Sequence, residues 1–403
     1  MRAVMYGAGN IGRGFIGALF AEAGFAVTFV DVSQELVDKL NAAGEYTVRV
    51  ISNEGFEDTL ITGVNALHSS ECDRITEAIA NADIMATAVG AGALRHIAPN
   101  IAFGLRKRRS ITDTPLDILI CENLSEANTV LRKLLKEQTP PEEHSALDEH
   151  IGLVETSIGR MVPVQTPEMQ HGDPLRVCVE RYGFLPVDKD AFKCEIPKIG
   201  NLVPYSPFGF YKSRKLYLHN MSHAITAYLG LYAGYNFIYE AIDDPYIRLI
   251  VKEAMGESME ALCEEYSAPM RDLRLHSDDL IIRFTNRALG DTCARVGNDT
   301  VRKLQNSDRL AGAAQLCERH DILPVGIAIG IAGAIHQYLI DTQQPQSDKN
   351  AATALAEISG LDEHHTSAQM TLKFYTLYRR GATPKQLYTE SEQIKELANP
   401  EIK

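Results

Sequence analysis

"AVMYGAGNIGRGFIGALFAEAGFAVTFVDV", residues 3 to 32, runs from a short apolar segment through a burst of glycines into a second apolar segment that stops at an aspartate. Gly7, Gly9 and Gly12 stand at G-x-G-x-x-G spacing directly after Ala3-Val4-Met5-Tyr6, which reads as a buried parallel strand. The glycine spacing alone is a weak signal. The order strand, glycines, helix, strand, acid is a strong one. In a dinucleotide fold the first glycine allows a tight turn, the second lets backbone approach a pyrophosphate, and the third lets helix and strand pack closely. The turn Gly7, Ala8, Gly9, Asn10, Ile11 and Gly12 would then hold phosphates through N–H groups at the helix start. Asp31 lies 19 residues beyond Gly12, at the end of Ala26-Val27-Thr28-Phe29-Val30. A carboxylate there accepts hydrogen bonds from the adenosine ribose and repels a 2′-phosphate, so the expected cofactor is NAD rather than NADP.

Further strand and helix signals extend this unit. "ADIMATAVGAGAL" (82 to 94) runs apolar into Gly90 and Gly92, which adds Val89 and Gly90 to the expected cofactor contacts. "LDILICENLS" (116 to 125) is another buried strand, ending at Glu122-Asn123, and residues 143 to 165 supply a helix and a strand. Open parallel sheets bind ligands at these carboxyl ends. From 173 to 194 the pattern turns to alternation, which suits antiparallel edge strands. Beyond the Pro- and Gly-rich "NLVPYSPFGFYKS" (201 to 213) helical periodicity takes over, with candidates at 214 to 241, 244 to 267, 277 to 289, 308 to 319, 324 to 341, 350 to 358 and 364 to 379. The expected architecture is α/β: a Rossmann-type, mostly parallel sheet over 1–200, and a mainly α-helical substrate and catalytic domain over 201–403.

Composition narrows the partners. With 403 residues, 45% hydrophobic and 23% charged, the chain reads as a soluble globular protein of two or three domains. A net charge of -13 argues against nucleic acid and anionic membrane surfaces, so an anionic ligand needs a local cluster of Lys and Arg. Seven scattered cysteines without a C-x-x-C pair, and no signal-like or bilayer-length segment, set the expectation of a cytoplasmic protein. No H-E-x-x-H occurs, so no metal is expected. The expected partner is a small molecule, with the chain monomeric or a weak homo-oligomer.

The chemistry is sought in "RKLYLHNMSHAITAYLG", residues 214 to 230. On a helix advancing about 100° per residue, Lys215, His223 and Asn220 share a polar arc opposite Leu218, Met221, Ile225 and Leu229. His219 and Ser222 lie on the same arc, so spacing alone does not say which polar residues matter, and a merely solvated face reads the same way.

Lys215, Asn220 and His223 match the K-x-x-x-x-N-x-x-H signature of the polyol-specific long-chain dehydrogenases, and the whole chain resembles that family. "CENLS" is similar to its C-[ED]-N segment and "TSIGRMVP" to its S-x-V-D-R-I-V-P segment. "RVGNDTVRKL…SDRL" is similar to a basic segment late in its helical domain. The resemblance implies NAD-dependent interconversion of a hexitol phosphate and a ketose phosphate, without metal. Lys215 is then the general base, its pKa lowered from about 10.4 by burial and the nicotinamide charge. Asn220 and Asn123 donate to the developing alkoxide, one from each domain, and His223 orients a substrate hydroxyl. Arg295, at the family's R-x-x-N position, joins Arg302, Lys303 and Arg309 as the expected phosphate site. The competing reading pairs Arg302 and Arg309 with Asp299, Asp308 or helix ends. One departure is Gly159, where many relatives carry aspartate; Glu155 and Glu122 are candidates to replace that carboxylate, or the substrate differs. A sugar-acid reductase of the fructuronate or tagaturonate type and a non-catalytic NAD-sensing protein remain the alternatives.

Overall fold

Ala3 and Met5 face one side of strand β1 (Arg2–Tyr6), Val4 and Tyr6 the other, and all four are buried. A strand covered on both faces reads as a continuous apolar run, which is why the opening segment shows no alternation. The computed structural model describes residues 1–124 and 126–398. Ten further strands follow: β2 (Ala26–Asp31), β3 (Glu45–Ser52), β4 (Gly55–Thr62), β5 (Val64–His68), β6 (Ile84–Thr87), β7 (Leu116–Ile120), β8 (Ile151–Glu155), β9 (Val177–Val179), β10 (Leu185–Asp188) and β11 (Leu202–Tyr205).

Six of them form a parallel sheet in the order β5-β2-β1-β6-β7-β8, with Val4 opposite Thr28 on one side and Met85 on the other. The chain leaves β1 toward β2 and later crosses back to β6, so the strand order reverses between β1 and β6. That switch point is where such sheets receive ligands. One face is covered by the segment Phe15–Phe20 together with Val177 and Val179 of β9, the other by helices Cys72–Ala80, Leu94–Arg109 and Ala127–Glu137.

The edge segments differ from expectation. Instead of pairing antiparallel, β9 pairs in parallel with β3, and β10 in parallel with β11. Strands of three and four residues carry a burial pattern but no information about the direction of a partner. The one long antiparallel ladder is the hairpin β3–β4, from Glu45 opposite Thr62 to Ser52 opposite Gly55, a region without a sequence assignment above. With β11 paired to β10, the first unit spans Met1–Gly209 and the second begins at Phe210.

The second unit is helical. The stretch 214 to 241 is not one helix: Gly209–Arg214 leads into a π-helical segment Lys215–Asn220, then Met221–Ala233 and Ile238–Asp243. Gly234, at φ 83°, ends the third of these in the left-handed conformation that glycine adopts without strain. The helix Met270–Phe284 starts before and stops short of the expected 277 to 289, and Pro384–Ala398 adds a helix the periodicity did not reveal. At the centre lies Val325–Asp341, buried throughout its first eleven residues. A Cβ on Gly326 would come within 2.6 Å of the Ala254 amide nitrogen, one on Gly330 within 2.3 Å of Ile225, and one on Gly333 within 2.9 Å of the Tyr378 hydroxyl. Each glycine therefore seats the helix on a different neighbour. Its first turn is held by the buried Glu257, which accepts from the N–H groups of Gly326 (2.7 Å) and Ile327 (3.1 Å).

Gly330→Ala is expected to overpack the Ile225 contact and to destabilise the protein by about 1–3 kcal/mol, read as a lower thermal midpoint. An unchanged midpoint would show that the two helices can move apart at no cost.

Candidate functional site

The glycine turn is built by close approach. A Cβ on Gly12 would sit 1.8 Å from the Gly7 carbonyl oxygen, and one on Gly7, which holds φ at 93°, would sit 2.5 Å from the Ala88 carbonyl oxygen. The loops after β1 and β6 therefore touch, as a site at the switch point requires. Gly9 differs: a Cβ there would meet nothing within 4 Å. Its missing side chain makes room for something other than the protein, which fits the approach of a pyrophosphate. Asp31 stands beside the turn at the end of β2. Its Oδ2 accepts from Ala8 N–H (2.7 Å) and its Oδ1 from Ser33 N–H (2.9 Å), so it both braces the turn and presents a carboxylate where a ribose belongs.

Arg13, which the sequence did not single out, and Glu122 support this turn and the loop beside it. Arg13, buried in the first helix, donates through Nε to the Ala8 carbonyl (2.6 Å) and through Nη1 to the Leu175 carbonyl, and Tyr46 Oη donates to the Arg13 carbonyl (2.8 Å). Its only signal was a charge inside an apolar run. Glu122 accepts from Thr87 Oγ1 (2.8 Å) and Val89 N–H (3.0 Å), which holds the loop carrying Val89 and Gly90; burial pushes its carboxyl up while these bonds pull against it. Both of its oxygens are engaged, so Glu122 acts as a latch rather than a substitute for the carboxylate absent at Gly159. A Cβ on Gly159 would lie 3.0 Å from the Tyr182 ring, so an aspartate there would press on that ring. Asn123 is exposed just past the end of β7, in the first unit.

Lys215, Asn220 and His223 lie in the second unit, and the structure separates them from their polar neighbours. His219 and Ser222 are buried, whereas Lys215, Asn220 and His223 are half-buried. The steps of about 100° that put all five on one arc do not hold through a π turn, whose bonds span five residues. Buried hydroxyls support the distorted segment: Ser258 Oγ donates to the Tyr217 carbonyl (2.6 Å), and Ser222 Oγ to those of Leu218 (2.6 Å) and His219 (3.1 Å). Burial, reinforced by Arg309, brings the Lys215 ammonium down to about 8.

The expected anion site is divided by pairing. Arg295 is tied to Asp291 through Nε (2.7 Å) and Nη2 (2.5 Å), and Arg302 to Asp299 (2.5 Å), with Asp308 3.5 Å away. Arg309 is buried and bonded through Nε to Asp308 (2.7 Å); among the described residues its two Nη groups make no hydrogen bond. Lys303 is buried without a carboxylate partner among the described residues. Burial first, then Arg309 and Arg302, pull its ammonium down to about 8. Among the described residues no three His, Cys, Asp or Glu side chains form a metal-ligand group, and no helix is long and apolar enough to cross a membrane.

Residues 1–201 match the family model of the mannitol dehydrogenase Rossmann domain, and residues 209–379 that of the mannitol dehydrogenase C-terminal domain. Among solved structures, the ternary complex of Pseudomonas fluorescens mannitol 2-dehydrogenase with NAD and D-mannitol is similar at 16% identity and a TM-score of 0.77, covering 97% of this chain and 94% of that one. A substrate-free D-sorbitol dehydrogenase is similar at 16% identity and a TM-score of 0.82, covering 96% and 95%.

Gly9→Ala should leave the thermal midpoint unchanged and weaken NADH binding, followed by fluorescence titration, by about tenfold or more. Gly12→Ala should lower the midpoint as well, because its methyl meets backbone. Equal loss of midpoint in both variants would refute the distinction.

Proposed function

The chain belongs to the mannitol dehydrogenase family, and on that premise we propose that it is an NAD-dependent oxidoreductase that interconverts a hexitol phosphate and its ketose phosphate, with mannitol 1-phosphate and fructose 6-phosphate the pair to test first. The turn Gly7–Gly12, Asp31 and the loop at Val89 and Gly90 would hold NAD, which accepts hydride from the carbinol carbon when bound. The remaining work falls to this chain's side chains. Lys215 takes the hydroxyl proton, a task open to it near neutral pH because its pKa is about 8. Asn220 donates an amide N–H to the oxygen as it becomes an alkoxide. His223 holds a neighbouring hydroxyl and fixes the orientation of the polyol chain.

The observation that carries the phosphate is Lys303. A buried ammonium crowded by Arg309 and Arg302, with no carboxylate of its own among the described residues, gains most from an added dianion. Arg309 can offer such a ligand its Nη groups while its Nε stays on Asp308.

NADH oxidation with fructose 6-phosphate, fructose, fructuronate and tagaturonate tests this reading. Fructose 6-phosphate should exceed fructose in kcat/KM by about a hundredfold, and Lys303→Met should remove most of that advantage. A ratio near one would sink the phosphate, and preference for fructuronate or tagaturonate would make the protein a sugar-acid reductase. Lys215→Ala should lose about a hundredfold or more in turnover while NADH still binds. A wild-type protein that binds NADH and turns over none of these substrates would be a sensor instead.

The pH profile has a defined sign. Polyol oxidation needs Lys215 neutral, so its kcat/KM should rise with pH and level off above about 8. Ketose reduction needs the ammonium as acid and should fall across the same range. Arg309→Met should move the inflection upward, since Arg309 opposes the Lys215 charge. Flat profiles in both directions would exclude Lys215 as the titrating group.

A further inference from the structure

Asp291 belongs to no motif that reads as chemistry, yet it is buried next to one. It sits just before the short helix Cys293–Gly297, where its backbone carbonyl accepts from Ile238 N–H (2.9 Å). Its Oδ1 takes both bonds from Arg295, and its Oδ2 lies 3.4 Å from Nε2 of His223. The His223 ring also lies flat on Phe284, with centroids 4.7 Å apart and planes 14° apart, and His219 is its other ring neighbour at 6.3 Å. Nε2 of His223 is buried and makes no aligned hydrogen bond among the described residues. Asp291 is the carboxylate beside it.

We propose that Asp291 is a positioning residue for the hydroxyl-binding histidine: it holds His223 as the Nε2–H tautomer, so that Nδ1 is presented as a hydrogen-bond acceptor to a substrate hydroxyl. A neutral imidazole carries one proton and offers one lone pair, and the partner of one nitrogen decides which is which. A carboxylate beside Nε2 draws the proton to that side. Burial works against a charged Asp291, but His223 and Arg295 outweigh it and keep the carboxyl below its ordinary range. The clamp of Phe284 on one side and Asp291 on the other leaves the ring little freedom to turn. This assigns Arg295 a role through Asp291 rather than a direct grip on phosphate.

The substrate half of this inference rests on the polyol reading, whereas the tautomer does not, so the test has two arms. In full-length ¹⁵N-labelled protein, two-bond ¹⁵N–¹H correlation spectra should show His223 as the Nε2–H form, its signals identified by their loss in His223→Gln. Asp291→Ala should shift that ring toward the other tautomer or a mixture, with Asp291→Asn read in its place should the alanine variant not fold. An Nδ1–H ring in the wild type, or one indifferent to Asp291, would overturn the proposal whatever the substrate proves to be. In the second arm, Asp291→Ala should raise KM for the ketose by about tenfold with a smaller change in kcat, and that effect should vanish in a His223→Ala background. Persistence of the effect with His223→Ala, and its disappearance with Arg295→Ala, would show that Asp291 serves Arg295 alone. Absence of any polyol or ketose turnover would remove the functional reading and leave the tautomer result standing.

Discussion

Close approach that only a missing Cβ permits is the constraint on which both units depend. In the first, Gly12 lies against the Gly7 carbonyl and Gly7 against that of Ala88, so the helix start is locked to the end of β1 and the end of β1 to the loop after β6. That locking aims the helix N–H groups at the switch point of the sheet. In the second, the same device seats the buried helix Val325–Asp341 on three neighbours at once, through Gly326, Gly330 and Gly333. A helix so close to its neighbours on every side can be almost wholly apolar, and its one polar problem, the unpaired amides of its first turn, is met by Glu257.

The helix that carries Lys215 solves the opposite problem. It leaves Lys215, Asn220 and His223 half-buried while much of its surface is packed, and it widens into a π turn at Lys215–Asn220. Such turns are costly because carbonyls lose good partners, and they recur at functional sites for the same geometric freedom that makes them costly. Ser258 and Ser222 accommodate the distortion by donating to the carbonyls of Tyr217, Leu218 and His219. The first helix, at Gly12–Gly17, uses a π segment too, beside the glycine turn.

Charge organises the second unit as strongly as packing does. Burial draws the Lys215 and Lys303 ammonium groups down to about 8, and Arg309 reinforces it at both. Asp291 answers Arg295, Asp299 answers Arg302, and Asp308 is shared between Arg302 and Arg309. The three arginines are thereby held in place by carboxylates, while Lys303 lies beside them without an ion pair among the described residues.

Much of the fold was legible in the chain. The apolar runs of β1, β2, β6, β7 and β8, the glycines and Asp31 follow from local rules: strand period, the space a glycine leaves, and the distance a helix covers before the next strand. Lys215, Asn220 and His223 came from the family resemblance rather than from spacing, and the structure leaves them half-buried beside the buried His219 and Ser222. What the chain could not display was which distant group each side chain meets. The pairing of Arg295 with Asp291, the latch of Glu122 on Val89, the support of Arg13 for the glycine turn, the π turn that voided the steps of about 100°, and the parallel partners of β9 and β10 all depend on tertiary neighbours. Sequence determines periodicity and placement because those are set by covalent geometry along the backbone, whereas the charge state of Lys215 and the partner of His223 are set by desolvation and by charges from other helices, which exist only once the chain has folded.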